Sequence, residues 1–367
     1  MRKALSTTVA LLLAGLLIAA SARAETLTNE DVIELVKSKL GAKLIIKKIK
    51  LSTCRFDVSA RKLVELKNAD VPESIIELMV DVHDKRIKSI QGAVQVALQG
   101  FRDQDSKQQD RARRELKSLG PDAIPWVVSL GLNSKYTEIR VGAATVLGDY
   151  AHRDALEPLF DVLTDRSQQV RESAAQALKY VVEDKHREKI YKRLTGRLTD
   201  IEKPRDGAVL ALGHLRMTKA APELRRMTKG DTSPRMRAVA VTALGDMRDK
   251  VSLDMIIKRL MDDRSRQVRA AAATALAKLH DVKAVPPMVK AFERYPQDRR
   301  GFVGPMASFR HPRIVETFIE ALDDNDTKVR ALAHEALKML TGETLKKEKG
   351  LWSEWWELDG RKRFTSS

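Results

Sequence analysis

The stretch Asp263-Arg264-Ser265-Arg266-Gln267-Val268-Arg269-Ala270-Ala271-Ala272-Ala273-Thr274-Ala275-Leu276-Ala277 occurs in this chain more than once. Asp165-Arg166-Ser167-Gln168-Gln169-Val170-Arg171 followed by Ala174, Ala175, Ala177 and Leu178 is an earlier copy, and Asp324-Asn325-Asp326-Thr327-Lys328-Val329-Arg330 opens a later one. Weaker copies place arginines at 140, 205, 237 and 300, so the period is roughly 30–34 residues, which is the signature of stacked helix pairs. Val170, Ala174, Ala177, Leu178 and Val181 share one face of a first helix, and Leu156, Leu159, Phe160 and Leu163 share one face of a second. Pro125, Pro158, Pro222 and Pro287 keep one phase, in the first turn of the second helices, where the missing N–H costs nothing.

This spacing of Asp, Val-Arg, Ala-Ala and Ala-Leu resembles the bacterial HEAT-repeat family over about two-thirds of the chain. The resemblance implies an all-α, right-handed superhelix that serves as a binding scaffold. Asp165 and Arg171, Asp231 and Arg237, Asp263 and Arg269, and Asp324 and Arg330 stand six apart. They are expected to form a structural ladder, each arginine bonding carbonyls or the aspartate of an adjacent turn.

Aromatic residues make up only 5% of the 367, in keeping with an alanine-packed solenoid. Residues 1–24 read as an export signal: Arg2 and Lys3, an apolar run from Val9 to Ala20, then Ala22-Arg23-Ala24. The expected location is a bacterial periplasm or the exterior; the alternative is an uncleaved anchor in the inner membrane. No cysteine follows the apolar run, which argues against a lipid anchor there. Cys54, the single cysteine, can form neither an intramolecular disulfide nor a cysteine metal cluster and is expected to be a small buried hydrophobe. The formal charge of +17 points to a partner protein with an acidic surface, or to an anionic envelope polymer or lipid. Intracellular nucleic acid is not expected, because of the export signal.

Residues 25–82 follow another pattern. Thr28 with Asp31 reads as a helix cap, Gly41 as the end of that helix, and Leu44, Ile45, Ile46 and Ile49 as a second helix. Leu63-Val64-Glu65-Leu66, Val71-Pro72 and Ile75, Ile76 and Met79 repeat the scheme, so this is a duplicated helical hairpin. It resembles a small helical module placed just after export signals in bacterial proteins, and is read as an accessory or capping domain, or a separate binding module. Residues 83–110 read as a helical join with a turn at 104–110, 111–340 as seven or eight repeats, and 341–367 as a C-terminal cap. Gly301, Gly304 and Pro305 should shorten or kink the first helix of the seventh repeat. Trp352, Trp355 and Trp356 share a helical face and should cover the last repeat, as in bacterial HEAT proteins with a similar Thr-Gly…Trp-x-x-Trp-Trp ending; a ligand site is the alternative.

No phosphate-binding glycine loop, His-Glu-x-x-His or Gly-x-Ser-x-Gly is present. The HEAT-repeat di-iron hydroxylases carry several His-Glu pairs; only His334-Glu335 matches here. The phycobilin lyases share the repeat, but no catalytic group carries over. No enzyme activity, cofactor or metal is therefore expected. Lys192, Arg225, Lys258 and Lys290 share one phase near the ends of successive second helices, about 150° from the apolar face. Arg193, Arg226 and Arg259 stand beside them, and the same phase turns acidic at Asp161 and Glu320. The resemblance implies that second helices line the concave surface, which would make these residues a docking row for an acidic partner. The expected function is a non-enzymatic exported scaffold. The alternatives are a polyanion- or envelope-binding module and an accessory or chaperone-like subunit of an envelope enzyme.

Overall fold

The computed structural model describes residues 26–200 and 204–365. The export signal read at residues 1–24 lies outside the described residues. The chain falls into two compact units, divided between Val96 and Ala97.

In the first unit the helices are α1 (Asn29–Lys37), α2 (Ala42–Leu51), α3 (Ala60–Asn68) and α4 (Glu73–Gln99). Two-residue strands, β1 (Thr26–Leu27) and β2 (Thr53–Cys54), pair in parallel with Thr26 opposite Thr53. Thr28 and Asp31 form a reciprocal capping box at the start of α1, which satisfies two N–H groups that the first turn leaves without partners. Gly41 does not end α1. The left-handed residue is Lys39 (φ 57°), Gly41 stands before α2 with φ −61°, and the duplicate copy repeats the turn with Asp70 (φ 56°). Leu40 and Val71 each donate a backbone N–H at 3.2 Å, to the carbonyls of Leu35 and Leu66, so both copies close the helix in the same way. Val32, Ile45, Ile49, Phe56, Leu66, Ile75 and Met79 form the core. Cys54 is buried with them, and burial pushes its thiol pKa up.

The join read at residues 83–110 is drawn differently. The helix that begins at Glu73 runs unbroken to Gln99, so nothing ends at residue 82. The chain turns at 103–105, because Asp105 accepts from the backbone N–H of Lys107 and thereby starts the next helix at Ser106.

The second unit is an all-α solenoid of helix pairs. α5 (Ser106–Leu119) pairs with α6 (Ile124–Trp126, prolonged by a π-helical turn, Val127–Leu132), α7 (Thr137–Tyr150) with α8 (Leu156–Asp161), and α9 (Gln168–Val181) with α10 (Arg187–Arg197). α11 (Asp206–His214) pairs with α12 (Ala221–Gly230), α13 (Pro234–Met247) with α14 (Leu253–Asp262), α15 (Arg266–Leu279) with α16 (Val285–Arg294), and α17 (Arg299–Ala307) with α18 (Pro312–Glu320). α19 (Thr327–Thr341) is an eighth first helix, followed by α20 (Lys349–Trp355) and α21 (Arg361–Thr365) of the tail. α17 is 9 residues long against 14 for α15, and holds Pro305 inside it, as its glycines and proline require.

Odd-numbered helices from α5 to α19 form one layer and even-numbered helices from α6 to α18 the other. Small residues let the first layer close up. A Cβ added at Gly148 would stand 2.8 Å from Ala177 Cβ, and at Gly213 and Gly245 only 2.6 and 2.7 Å from the Cα atoms of Ala243 and Ala275. Successive second helices approach one another much less closely than successive first helices do, and in a curved stack the layer with the shorter spacing lies inside, so the first helices form the concave side.

Candidate functional site

An open groove of about 590 Å³ crosses six successive first helices, from Arg113 on α5 to Gln267 and Ala271 on α15. Its floor is small and mildly polar: Thr145 on α7, Ser173 and Gln176 on α9, Leu210 on α11, Val239 and Thr242 on α13. Ala177, which packs against Gly148 of the preceding first helix, lines the groove too, as do Ala238 and Ala271, so the groove repeats with the sequence period.

Charges along the groove are tied to one another. Arg113 forks onto Asp149 at 2.6 and 2.7 Å. Asp246 stands between His214 Nδ1 at 3.0 Å and Lys278 Nζ at 2.5 Å, three residues from three successive first helices. Burial pushes the Asp246 carboxyl up, but the His214 and Lys278 partners outweigh it and hold the group below the usual carboxylate range. Tyr180, 55% exposed, is the one large aromatic ring among the groove's lining residues.

At the start of the first helices lies the arginine ladder, with a pairing the sequence reading did not specify. The arginine donates Nη1 to the carbonyl six residues earlier, that of an aspartate for Arg171, Arg237 (3.0 Å) and Arg269 (2.8 Å) and that of Ser134 for Arg140 (3.0 Å). Its other nitrogens reach the carboxylate of the next repeat. Arg140 pairs with Asp165 (2.9 Å), Arg171 with Asp206 (2.7 Å), Arg237 with Asp263 (2.9 Å) and Arg269 with Asp298 (2.6 Å). Arg330, on the last first helix, bonds the Asp324 and Asn325 carbonyls and Thr327. Asp206 and Asp298, 2% exposed each, were not identified from the sequence because they sit out of phase with the other aspartates. A carboxylate directly after the repeat's arginine, as in Arg205-Asp206, was the available signal. Asp206 also receives Arg235. Burial pushes its carboxyl up, and the hydrogen bonds from Arg171 and Arg235 more than reverse that.

The basic row does not line the concave groove. Lys192, Arg225, Lys258 and Lys290 lie on α10, α12, α14 and α16, in the opposite layer, and none of them is among the residues lining the groove. The neighbouring arginines are not free for a partner either. Arg193 forks onto Glu157 (2.7 and 2.8 Å) and covers the Phe160 ring, Arg226 bonds Glu223, Arg259 bonds Asp263 (3.3 Å), and Arg225 itself bonds Asp249 (2.6 Å). Lys192, Lys258 and Lys290 are exposed and form no ion pair with another described residue.

The tail folds over α18 and α19. Trp352 is fully buried, edge-on to His334, and donates Nε1 to the Lys346 carbonyl at 2.9 Å. Trp356 is buried and donates to Glu316 on α18 at 3.2 Å. Trp355 is half-buried, with its Nε1 enclosed and without an acceptor among the described residues. His334 Nε2 bonds the Leu345 carbonyl (2.8 Å), so the one His-Glu match is engaged in holding the tail. No group of three or more His, Cys, Asp and Glu side chains is placed to hold a metal among the described residues. No described helix is long and apolar enough to cross a membrane.

Two layers of short helices, stacked with a period of about 30–34 residues and joined by a side-chain ladder, define an α-solenoid, a class that presents extended surfaces to other proteins. The chain belongs to the HEAT-repeat family: the family described as HEAT repeats matches residues 94–179, 193–277 and 229–302, together more than half of the chain. HEAT repeats are generally protein-interaction scaffolds. A search of curated proteins finds no match. Among solved structures, the chain is similar to human deoxyhypusine hydroxylase in complex with glycerol (20% identity, 70% of this chain and 98% of that one, TM-score 0.31). It is also similar to the CpcE and CpcF complex of phycocyanin lyase from Nostoc sp. PCC7120 (18%, 67% and 94%, TM-score 0.39) and to an engineered protein (19%, 85% and 94%, TM-score 0.34).

Proposed function

We propose that this chain is a non-enzymatic exported scaffold that holds an extended segment of a partner protein in the groove of the first helices. The observation that carries the reading is the groove itself, continuous over six helices and floored by Thr145, Gln176, Leu210 and Thr242. Six helices about 10 Å apart span about 50 Å, room for about 15 residues of extended chain. Because Arg113, Asp149, His214, Asp246 and Lys278 are already paired, contacts there are polar and weakly dependent on salt. Export rests on the leader pattern of residues 1–24.

A second contact is favoured by one observation. Lys192, Lys258 and Lys290 are exposed, without ion pairs among the described residues, while the flanking second helices carry Asp161 and Glu320. These lysines suit an acidic surface of the same partner, from the convex side.

Photo-crosslinkers at Gln176 and Thr242, compared with Lys192 and Lys258, test both in the native envelope. The reading expects one protein captured from the groove positions in a complex that survives high salt. Capture from the lysine positions alone would move the docking site to the convex layer and refute the groove.

A further inference from the structure

We propose that α2 and the turn before it form a docking face for an anionic lipid bilayer. Between Glu34 and Asp57 the chain has no carboxylate and carries Lys37, Lys39, Lys43, Lys47, Lys48 and Lys50, all exposed. Within the same face stand leucines that the fold leaves in solvent: Leu44 is 57% exposed and Leu51 77%, while Ile45 and Ile49 on the opposite side of the helix are 1%. At about 100° per residue, Leu44 and Leu51 lie within about 20° of each other, with Lys47 on one side and Lys48 on the other. An apolar ridge bordered by lysines matches the layering of a bilayer surface, where alkyl groups sink below the phosphates and ammonium groups stay level with them. A polyanion offers the leucines nothing.

The duplicated hairpin shows that the fold does not need this face. The α2 helix and the first turns of α4 are copies of one element, with Ile45, Ile46 and Ile49 answered by Ile75, Ile76 and Met79. At the matching positions Lys43 and Lys47 become Glu73 and Glu77, and Leu44 and Leu51 become Ser74 and Asp81. The core is retained and the outer face is reversed in character, so the basic ridge belongs to the first copy's surface and not to its packing.

The duplicate also supplies the test. The full chain, Lys43→Glu/Lys47→Glu and Leu44→Ser/Leu51→Asp are floated with vesicles of phosphatidylcholine containing roughly a third phosphatidylglycerol, and with phosphatidylcholine alone. The apolar run near the N-terminus is shared by all three proteins and both lipids, so ratios between proteins isolate α2. Each lysine near an anionic surface is worth about a fivefold change in partition. The charge-reversed pair should therefore bind phosphatidylglycerol vesicles at least about twenty-fold less, with little change on the neutral vesicles. The leucine pair should lose binding as well, and melting temperatures should stay within a few degrees. Lys43→Gln/Lys47→Gln serves if the charge-reversed pair does not fold. Equal binding by the wild type and both variants overturns the proposal, as does equal binding to the two lipids. Capture by poly-glutamate with no vesicle binding would assign the face to an acidic protein and overturn the bilayer.

Discussion

Asp206→Asn tests the account of the ladder most sharply. Asp206 is 2% exposed and accepts from two guanidinium groups: Arg171 through Nε at 2.7 Å and Nη2 at 2.9 Å, and Arg235. Arg171 is 7% exposed. Asparagine keeps the volume but removes the charge and turns an N–H₂ group toward donors. It leaves Arg171 buried without a counter-charge. Breaking a buried pair in this way costs about 3–5 kcal/mol. The control is Asp326→Asn, whose partner Arg300 is 49% exposed, and it should cost far less, because solvent screens that pair. Urea unfolding followed by circular dichroism measures both. Since each repeat touches only its neighbours, amides of α9 to α13 should also lose protection from hydrogen exchange while those of α19 keep theirs. If Asp206→Asn costs no more than the control, the buried ladder does not hold the repeats together and the reasoning fails.

The pH dependence follows with its sign. Asp206, Asp246 and Asp263 are all held below the usual carboxylate range. Their contribution is therefore present above the unfolded value of about 3.9 and lost as pH falls through the folded values. The urea midpoint should be level from about pH 8 to pH 5 and fall below about pH 4; a decline that begins near pH 6 would assign acid sensitivity to histidines instead. Gly245→Ala should cost about 1–3 kcal/mol, because the new Cβ meets backbone of α15, whereas Gly304→Ala, with nothing within 4 Å, should stabilise by roughly 0.5–1 kcal/mol; equal thermal shifts would contradict the close packing of the first layer. Trp352→Phe should cost about 1 kcal/mol more than Trp355→Phe, since only the Trp352 indole has an acceptor; the reverse order in a thermal melt would refute the tail geometry.

Much of the second unit is legible in one dimension because its structure is nearly one-dimensional. Val170, Ala174, Ala177 and Leu178 recur every repeat, and a helix that contacts only its neighbours writes its packing at a fixed period. The helix pairs, the short α17 and a tail whose Trp352 and Trp356 pack on the last repeat can all be read from such positions. Boundaries near residue 83 were less legible, since the polar stretch from Ser106 to Asp110 is indistinguishable in composition from a loop until Asp105 caps it into a helix.

What the sequence by itself determined is the element type, the period and the rows of like residues, because these depend on spacing along a helix. Only the tertiary structure decided which layer lies inside the curve and which charges remain free. The first depends on how closely Gly148, Gly213 and Gly245 let successive helices approach, and the second on partners far away in sequence, as Arg193 meets Glu157 and Arg171 meets Asp206. A wheel drawn on one helix carries the angle of each side chain but not the distance to the next repeat, and that distance placed the basic row outside the groove.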